Sequence, residues 1–549
     1  RNPLCGRNFE YLSEDPYLTG MMSSAIVKGI QTFGLSACPK HFACNNQEYK
    51  RQNGNSIVDQ RAFHEIYLKP FEIAVKQAKP STVMCSYNQI NGVYSSDNKE
   101  LLTDILRKDW GFDGLVMTDW GALADRIKAF KAGCDLNMPG GSKYMEKAAF
   151  KAVKSGQLSE EDINKSVERI LVEVEKGVNH RKDYTFDREE QHNLSKQIAL
   201  EGAVLLKNEG ALPLRKESIG FFGYFAEDIR YQGSGSSHIN PTKLNQLNQL
   251  FPTIPYASGV DKNGNAVDIE SAVSLAKSVE VPVVFAGLPD IYESEGFDRD
   301  NMRIPDGYNQ LIEAISAVNK NTVVVLFGGS VMELPWESKV NAILYMGLPG
   351  QAGSEAVMEL LEGKVNPSGK LSESWPLSYA DVISNDTFGQ KYTEYRESIY
   401  VGYRYYDKAN VKVRYPFGHG LSYTTFEYSN PVLVGNVVSI DVTNTGEAAG
   451  KEIVQLYVGS NHTFRAVKEL KAFEKVELLP GQTKTVSFEI RDDFFEIYQE
   501  GFKKVAGSYE LLFAASSADI KASIKIDVDG EVVEVENEEN SWYQLLKGK

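Results

Sequence analysis

The feature that most restricts the fold of this chain is a change of rhythm. From Leu35 to about Gly177, short apolar runs alternate with helical stretches; from about Pro431 the pattern becomes strict one-in, one-out alternation. In the first part GLSACPKHFA precedes a helical stretch at Asp59–Gln77, and STVMCSYNQING precedes one at Lys99–Trp110. GLVMTDWGA then precedes Ala122–Ala132, and DLNMP precedes Lys143–Ser155. Such a rhythm predicts parallel strands with crossover helices. Polar residues stand at the carboxyl ends of these strands: Lys40 and His41, Tyr87, and Asp119. In a (β/α)8 barrel that end is the catalytic rim. A doubly wound sheet also binds ligands at its strand carboxyl ends, so periodicity alone leaves both open.

A complete barrel takes about 250 residues, whereas this block ends by residue 178 with about four strands in view. The expectation is an incomplete TIM-type barrel whose leading strands belong to a second polypeptide, were removed, or were replaced by another arrangement. Residues 179–195 are charged and turn-rich and read as a linker. A second α/β block follows over 196–390, opening with a helix that ends in ALEGAVLLKN and continuing with strands SIGFFGY, VPVVFAG, NTVVVLF and VNAILYMG. After a connecting segment at 391–430, Val438, Ile440 and Val442 alternate with Ser439, Asp441 and Thr443. That predicts an antiparallel β-sandwich over 431–528, and the acidic tail at 529–549 reads as a solvated extension. The fold class is therefore α/β multidomain.

Charge narrows the ligands. Lys and Arg number 59 against 74 Asp and Glu, a net charge of −15, which argues against a nucleic-acid binder and favours a neutral or cationic ligand. No run of about 18 apolar residues exists to span a membrane. The five cysteines (Cys5, Cys38, Cys44, Cys85, Cys134) form no CxxC pair and have no His at zinc spacing. Neither a disulfide framework nor a metal site is expected, and no cofactor is implied. Compartment stays open between cytoplasmic and secreted, as does assembly into a homo-oligomer.

Two carboxylates carry the candidate chemistry. Asp119 ends a buried apolar strand in GLVMTDWG, where an ionised group is costly unless something uses it. It could simply cap the following helix. Its company of Arg7, Lys40, His41 and Arg51 on neighbouring rim segments would keep it ionised, and an ionised Asp can attack an acetal carbon. Glu295 lies in the acidic loop DIYESEGFDR, which by itself reads as wet surface. A retaining glycosidase nevertheless needs a second, protonatable carboxyl about 5–5.5 Å from its nucleophile.

Ten ordered blocks together resemble glycoside hydrolase family 3, the β-glucosidase group: RNPLCGRNFEYLSEDP, KHFACNNQEYKR, VMCSYNQING, GFDGLVMTDWGA, YESEGFDR, NPSGKLSESWP, VGYRYYDK, YPFGHGLSYTTFEYS, GKEIVQLYVG and VKELKAFEKVELLPGQ. The resemblance implies a TIM-type barrel, a flavodoxin-like α/β sandwich and a fibronectin type III domain. It makes Asp119 the nucleophile and Glu295 the acid/base. It places Arg7, Lys40, His41 and Arg51 on the hydroxyls of the −1 sugar, Tyr87 near the nucleophile, Trp120 at the sugar rim and Met84 in the pocket. Tyr87 and Trp120 could equally be packing residues. A family Asp in a DGP-type segment, which grips distal sugar hydroxyls, has no counterpart here. The β-N-acetylglucosaminidase branch carries a KHFPGHG-like segment, and KHFACNN departs from it. Gly233–His238 (GSGSSH) lacks the Lys of a phosphate loop and resembles a loop leaning over the sugar site.

The implied activity is a retaining exo-β-glycosidase acting on terminal β-D-glucosyl residues of β-glucosides and β-linked oligosaccharides. β-Xylosidase or α-L-arabinofuranosidase activity, a noncatalytic sugar-binding relative and a phosphorylase are the alternatives.

Overall fold

The computed structural model describes residues 2–180, 185–215 and 218–533. In its first part, two strands, β1 (Thr82–Cys85) and β2 (Leu115–Thr118), pair in parallel. They are flanked by two further parallel segments. On one side Phe42 bridges Cys85, with the amides of Thr82 and Met84 donating to Ala37 and Pro39; on the other Leu136 bridges Met117. These are the four runs read from the sequence, although the outer two pair only at isolated points. Val83, Cys85 and Val116 are buried with Leu101, Leu102, Leu106 and Ala129 from the covering helices, and burying one such side chain contributes about 1.5–3 kcal/mol. The helix read at Lys99–Trp110 is wound in π fashion over Glu100–Asp109.

The second part is a six-stranded sheet. Its strands are β3 (Val204–Asn208), β4 (Ile219–Phe222), β5 (Tyr256–Ala257), β6 (Val281–Gly287), β7 (Val323–Phe327) and β8 (Ala342–Gly347). They lie in the order β5-β4-β6-β7-β8-β3, all parallel except β3, which runs antiparallel to β8. Every residue of β6 and β7 is buried, as befits central parallel strands covered on both faces.

Two boundaries differ from the sequence reading. The charged stretch read as a linker contains the start of a helix, Arg188–Gly202, because Asp187 caps it by accepting from the amides of Glu189 and Glu190. Those two acids sit in its first turn, where the helix dipole favours them. That helix stops at Gly202, so VLLKN is a strand and not the end of the helix.

The segment 391–430 straps back onto the first part: Tyr392–Glu394 pairs in parallel with Asn55–Ile57. Seven long strands follow: β9 (Phe426–Val434), β10 (Val437–Asn444), β11 (Gly450–Ser460), β12 (Lys468–Leu478), β13 (Thr483–Glu489), β14 (Gly507–Ser516) and β15 (Asp519–Val528). They form antiparallel sheets β9-β10-β13 and β12-β11-β14-β15. Val438, Ile440 and Val442 point inward against Leu456, Leu511 and Phe513, following the alternation of the sequence. The acidic tail begins pinned, since the Glu531 amide donates to Lys504 and its carbonyl accepts from Ala506. Its remaining residues, 534–549, lie outside the described residues.

Candidate active site

Parallel strands deliver side chains to one rim. β2 ends at Thr118, and the next residue, Asp119, donates its amide to the Cys85 carbonyl at the end of β1. Its Oδ1 accepts from the Trp120 amide at 2.6 Å. Its Oδ2 is buried with no hydrogen-bond donor among the described residues, and His41 Nε2 lies 3.2 Å away. Burial pushes the His41 imidazole well below its ordinary value, and the nearby charges of Arg7, Lys40 and Arg51 push the same way. The ring is therefore neutral.

Glu295 sits on the loop that leaves β6 of the second sheet. Its Oε1 accepts from Arg51 Nη1 at 2.9 Å and lies 3.4 Å from Arg7 Nη1; its Oε2 accepts from the Ser236 amide at 2.7 Å. Burial alone would raise this carboxyl, but the Ser236 hydrogen bonds and the two guanidinium groups outweigh it and hold the pKa at about 2. Arg7 Nη1 is also 3.5 Å from His41 Nε2. Asp119, His41, Arg7 and Glu295 thus meet through shared atoms, which puts the two carboxylates within about 10 Å of one another.

The loop carrying Ser236 approaches so closely that a side chain at Gly235 would meet Glu295 Cβ at 2.5 Å, and its φ of +87° suits glycine. This is the GSGSSH loop, and it leans on Glu295. Across the same junction, Gly6 lies where a Cβ would come within 1.7 Å of the Phe297 carbonyl oxygen.

The other expected residues fall as follows. Arg7 is fully buried and grips Glu10 Oε2 at 2.6 Å. Arg51 stands 5.1 Å over the Tyr87 ring. Tyr87 is buried and donates to the Trp120 carbonyl at 3.0 Å; burial and then the Asp119 charge push its hydroxyl up to about 12. Met84 is half-buried on β1. Trp120 is 63% exposed, so its ring is not core filling. Of the adjacent pair at the strand end, Lys40 is exposed and His41 is buried. A long amphipathic side chain escapes the desolvation that would otherwise demand a partner. Both line a cavity of about 210 Å³ that also touches Glu10 and Asn45.

Two residues of this junction were not singled out from the sequence. Glu48 Oε2 accepts from Arg51 at 2.8 Å and from the Gly296 amide at 2.7 Å, tying a cation to the residue beside Glu295. Asp298 accepts from the amides of Gly6, Glu48 and Tyr49, so one carboxylate on the loop of the second sheet pins two segments of the first. Their signal was position: each stands in a block with a candidate, Glu48 in KHFACNNQEYKR and Asp298 in YESEGFDR.

Three family models match the chain in order: the glycosyl hydrolase family 3 N-terminal domain at residues 1–172, the family 3 C-terminal domain at 203–423, and a fibronectin type III-like domain at 452–517. Thermostable β-glucosidase B of Acetivibrio thermocellus is 46% identical over 96% of this chain and 74% of its own length. The chain belongs to glycosyl hydrolase family 3. An exo-α-(1→6)-L-arabinopyranosidase of Bifidobacterium longum is 40% identical over 97% of this chain and 74% of its own. A family 3 β-glucosidase from Bifidobacterium adolescentis superposes with a TM-score of 0.93 at 39% identity, covering 98% of this chain and 83% of that one. β-Glucosidase 3B from Thermotoga neapolitana, solved with glucose, gives 0.90 at 35% identity, with 97% and 82% covered. The N-terminal barrel domain, the α/β sheet and the fibronectin type III-like sandwich are the family 3 architecture.

Proposed function

We propose that this chain is a retaining exo-β-glycosidase that releases terminal β-D-glucosyl residues from β-glucosides and β-linked oligosaccharides. The observation that carries the reading is the meeting of two carboxylates from different sheets through His41 and Arg7. Asp119 Oδ2 is the attacking atom, because Oδ1 is occupied by the Trp120 amide while Oδ2 keeps its lone pairs free. It forms a bond to the anomeric carbon as the C1–O bond to the aglycone breaks, and Glu295 gives its proton to the departing oxygen. Glu295 then takes a proton from water, whose oxygen attacks C1 and frees Asp119. Neutral His41, Arg7, Arg51 and Lys40 supply donors for sugar hydroxyls, Met84 and Tyr87 wall the pocket, and the open face of Trp120 covers the apolar side of a pyranose.

In the ligand-free arrangement Glu295 is an anion at neutral pH, since its pKa is held at about 2. Acting as an acid requires that sugar binding draw the Arg51 and Ser236 donors away from it. Arg51→Gln is therefore expected to lower overall activity and to move the basic limb of the kcat/KM–pH profile upward by about 1–3 units, the usual reach of an opposite charge in contact. A limb that stays in place would mean that Arg51 does not hold this charge.

The reading is tested by following hydrolysis of an aryl β-glucoside by proton NMR. Glucose should appear first as the β anomer, and initial release of the α anomer, or no release, overturns it. Identity to the B. longum arabinopyranosidase favours a second substrate class, pentosides. Discrimination between glucosides and xylosides rests on space for one CH2OH group, worth about 1–3 kcal/mol.

A further inference from the structure

Glu295 stands at the tip of a tight turn. Ser294 and Phe297 bridge across it, and Gly296 takes the second central place with a φ of +102°, a conformation that suits glycine. A turn this short has little internal freedom, so whatever fixes its base also fixes the Glu295 carboxyl. On one side the base lies backbone against backbone on the start of the chain, where the Arg299 amide donates to the Leu4 carbonyl at 2.8 Å. The first residue past the bridge is Asp298. Its Oδ1 accepts from the amides of Gly6 at 3.1 Å and Glu48 at 2.9 Å, and its Oδ2 accepts from those of Glu48 at 3.1 Å and Tyr49 at 2.8 Å. A carboxylate that merely shaped its own loop would take amides from that loop. These three lie 292, 250 and 249 positions away.

We infer that Asp298 is a positioning residue for the acid/base: by clasping two segments of the first part to the base of the turn, it sets where the Glu295 carboxyl stands over the glycosidic bond. The inference rests on the glycosidase reading and deepens it. The clasped segments are the ones that matter to Glu295. Gly6 adjoins Arg7, Tyr49 lies two residues before Arg51, and these two guanidinium groups converge on Glu295 Oε1. The clasp is also reciprocal, since Glu48 Oε2 accepts from the Gly296 amide at the tip itself. Hydrogen bonds to an ionised acceptor are roughly twice as strong as neutral ones, so a carboxylate suits this place better than a neutral side chain. Proton transfer to a leaving oxygen needs hydrogen-bond contact, and a displacement of about 1 Å can cost 10²-fold. Asp298 therefore acts through Glu295 and not on the sugar.

The test measures kcat/KM on cellobiose, whose leaving group needs a proton, and on a dinitrophenyl β-glucoside, whose leaving group does not. Asp298→Ala should lower the first by about 10–10²-fold, the scale of a misplaced group, and the second by less than about threefold, since no acid is needed there. Asp298→Asn, with one carbonyl oxygen left to accept, should fall between and carries the test should the alanine variant fold poorly. Adding Asp298→Ala to Glu295→Gln should cost cellobiose nothing further, because residues that act as a unit do not add. Equal losses on the two substrates, or a full additive loss in the double variant, would make Asp298 a support for the fold alone and overturn the inference. If Glu295→Gln divides the substrates and neither Asp298 variant does, the inference falls and the glycosidase reading stands. Wild-type protein that releases glucose from neither substrate removes that reading and the inference with it.

Discussion

Asp119→Ala is expected to lower turnover of aryl β-glucosides by about 10⁴–10⁶-fold, the scale on which removal of an attacking group is felt. The fold should survive. The hydrogen bond forfeited is from the adjacent Trp120 amide, and the buried His41 ring 3.2 Å from Oδ2 is already neutral, so the loss strands no buried charge. A thermal midpoint within a few degrees of the wild type checks this. The decisive readout is chemical rescue. Azide entering the space left by the carboxylate would attack the anomeric carbon from the same face, with the aryloxide leaving from the other, and the product would be the α-glucosyl azide. Activity above about 1% of wild type without azide, or rescue giving the β product, would remove Asp119 from the role proposed for it.

How much of this was legible in the sequence depends on range. Asp119 stood out because a charge that closes the buried run Leu115–Thr118 must emerge at a strand end, and β2 ends one residue before it. The same logic placed Tyr87 after β1. It did not tell Lys40 from His41, because adjacency does not say which of two polar residues a backbone turns inward, and only His41 is buried. Contacts across the junction had no local signature. Arg51 and Glu295 are 244 positions apart, and the carboxylates of Glu48 and Asp298, which fix that pairing, read as wet loop charges until the loops are seen to meet. Strand direction was also silent, since the apolar run of β3 looks alike whether it pairs parallel or, as it does, antiparallel. The misread linker has a similar cause: Asp187, Glu189 and Glu190 are turn-like by composition, yet they are the cap and first turn of a helix.

Glu295→Gln is expected to divide substrates by their leaving groups. Cellobiose and alkyl glucosides need a proton on the departing oxygen, and removing a positioned acid costs about 10²–10⁴-fold. A dinitrophenyl glucoside leaves unaided, so its first step should proceed nearly as in the wild type, giving a burst of phenolate followed by slow turnover, because the base for water is gone as well. Azide, needing no base, should restore steady turnover and give the β-glucosyl azide, the opposite stereochemistry to the Asp119 rescue. The substitution also has a stability signature with a definite sign. The folded carboxyl sits at about 2 against an ordinary 4.5, so its charge favours the folded state above pH 4.5, and that contribution is lost as pH falls toward 2. Wild type should therefore lose an increment of stability across that window which the variant, lacking the titrating group, does not show. Equal rate losses on cellobiose and on the dinitrophenyl glucoside would mean that another group supplies the proton and that Glu295 serves Arg7 and Arg51 as a counter-ion alone.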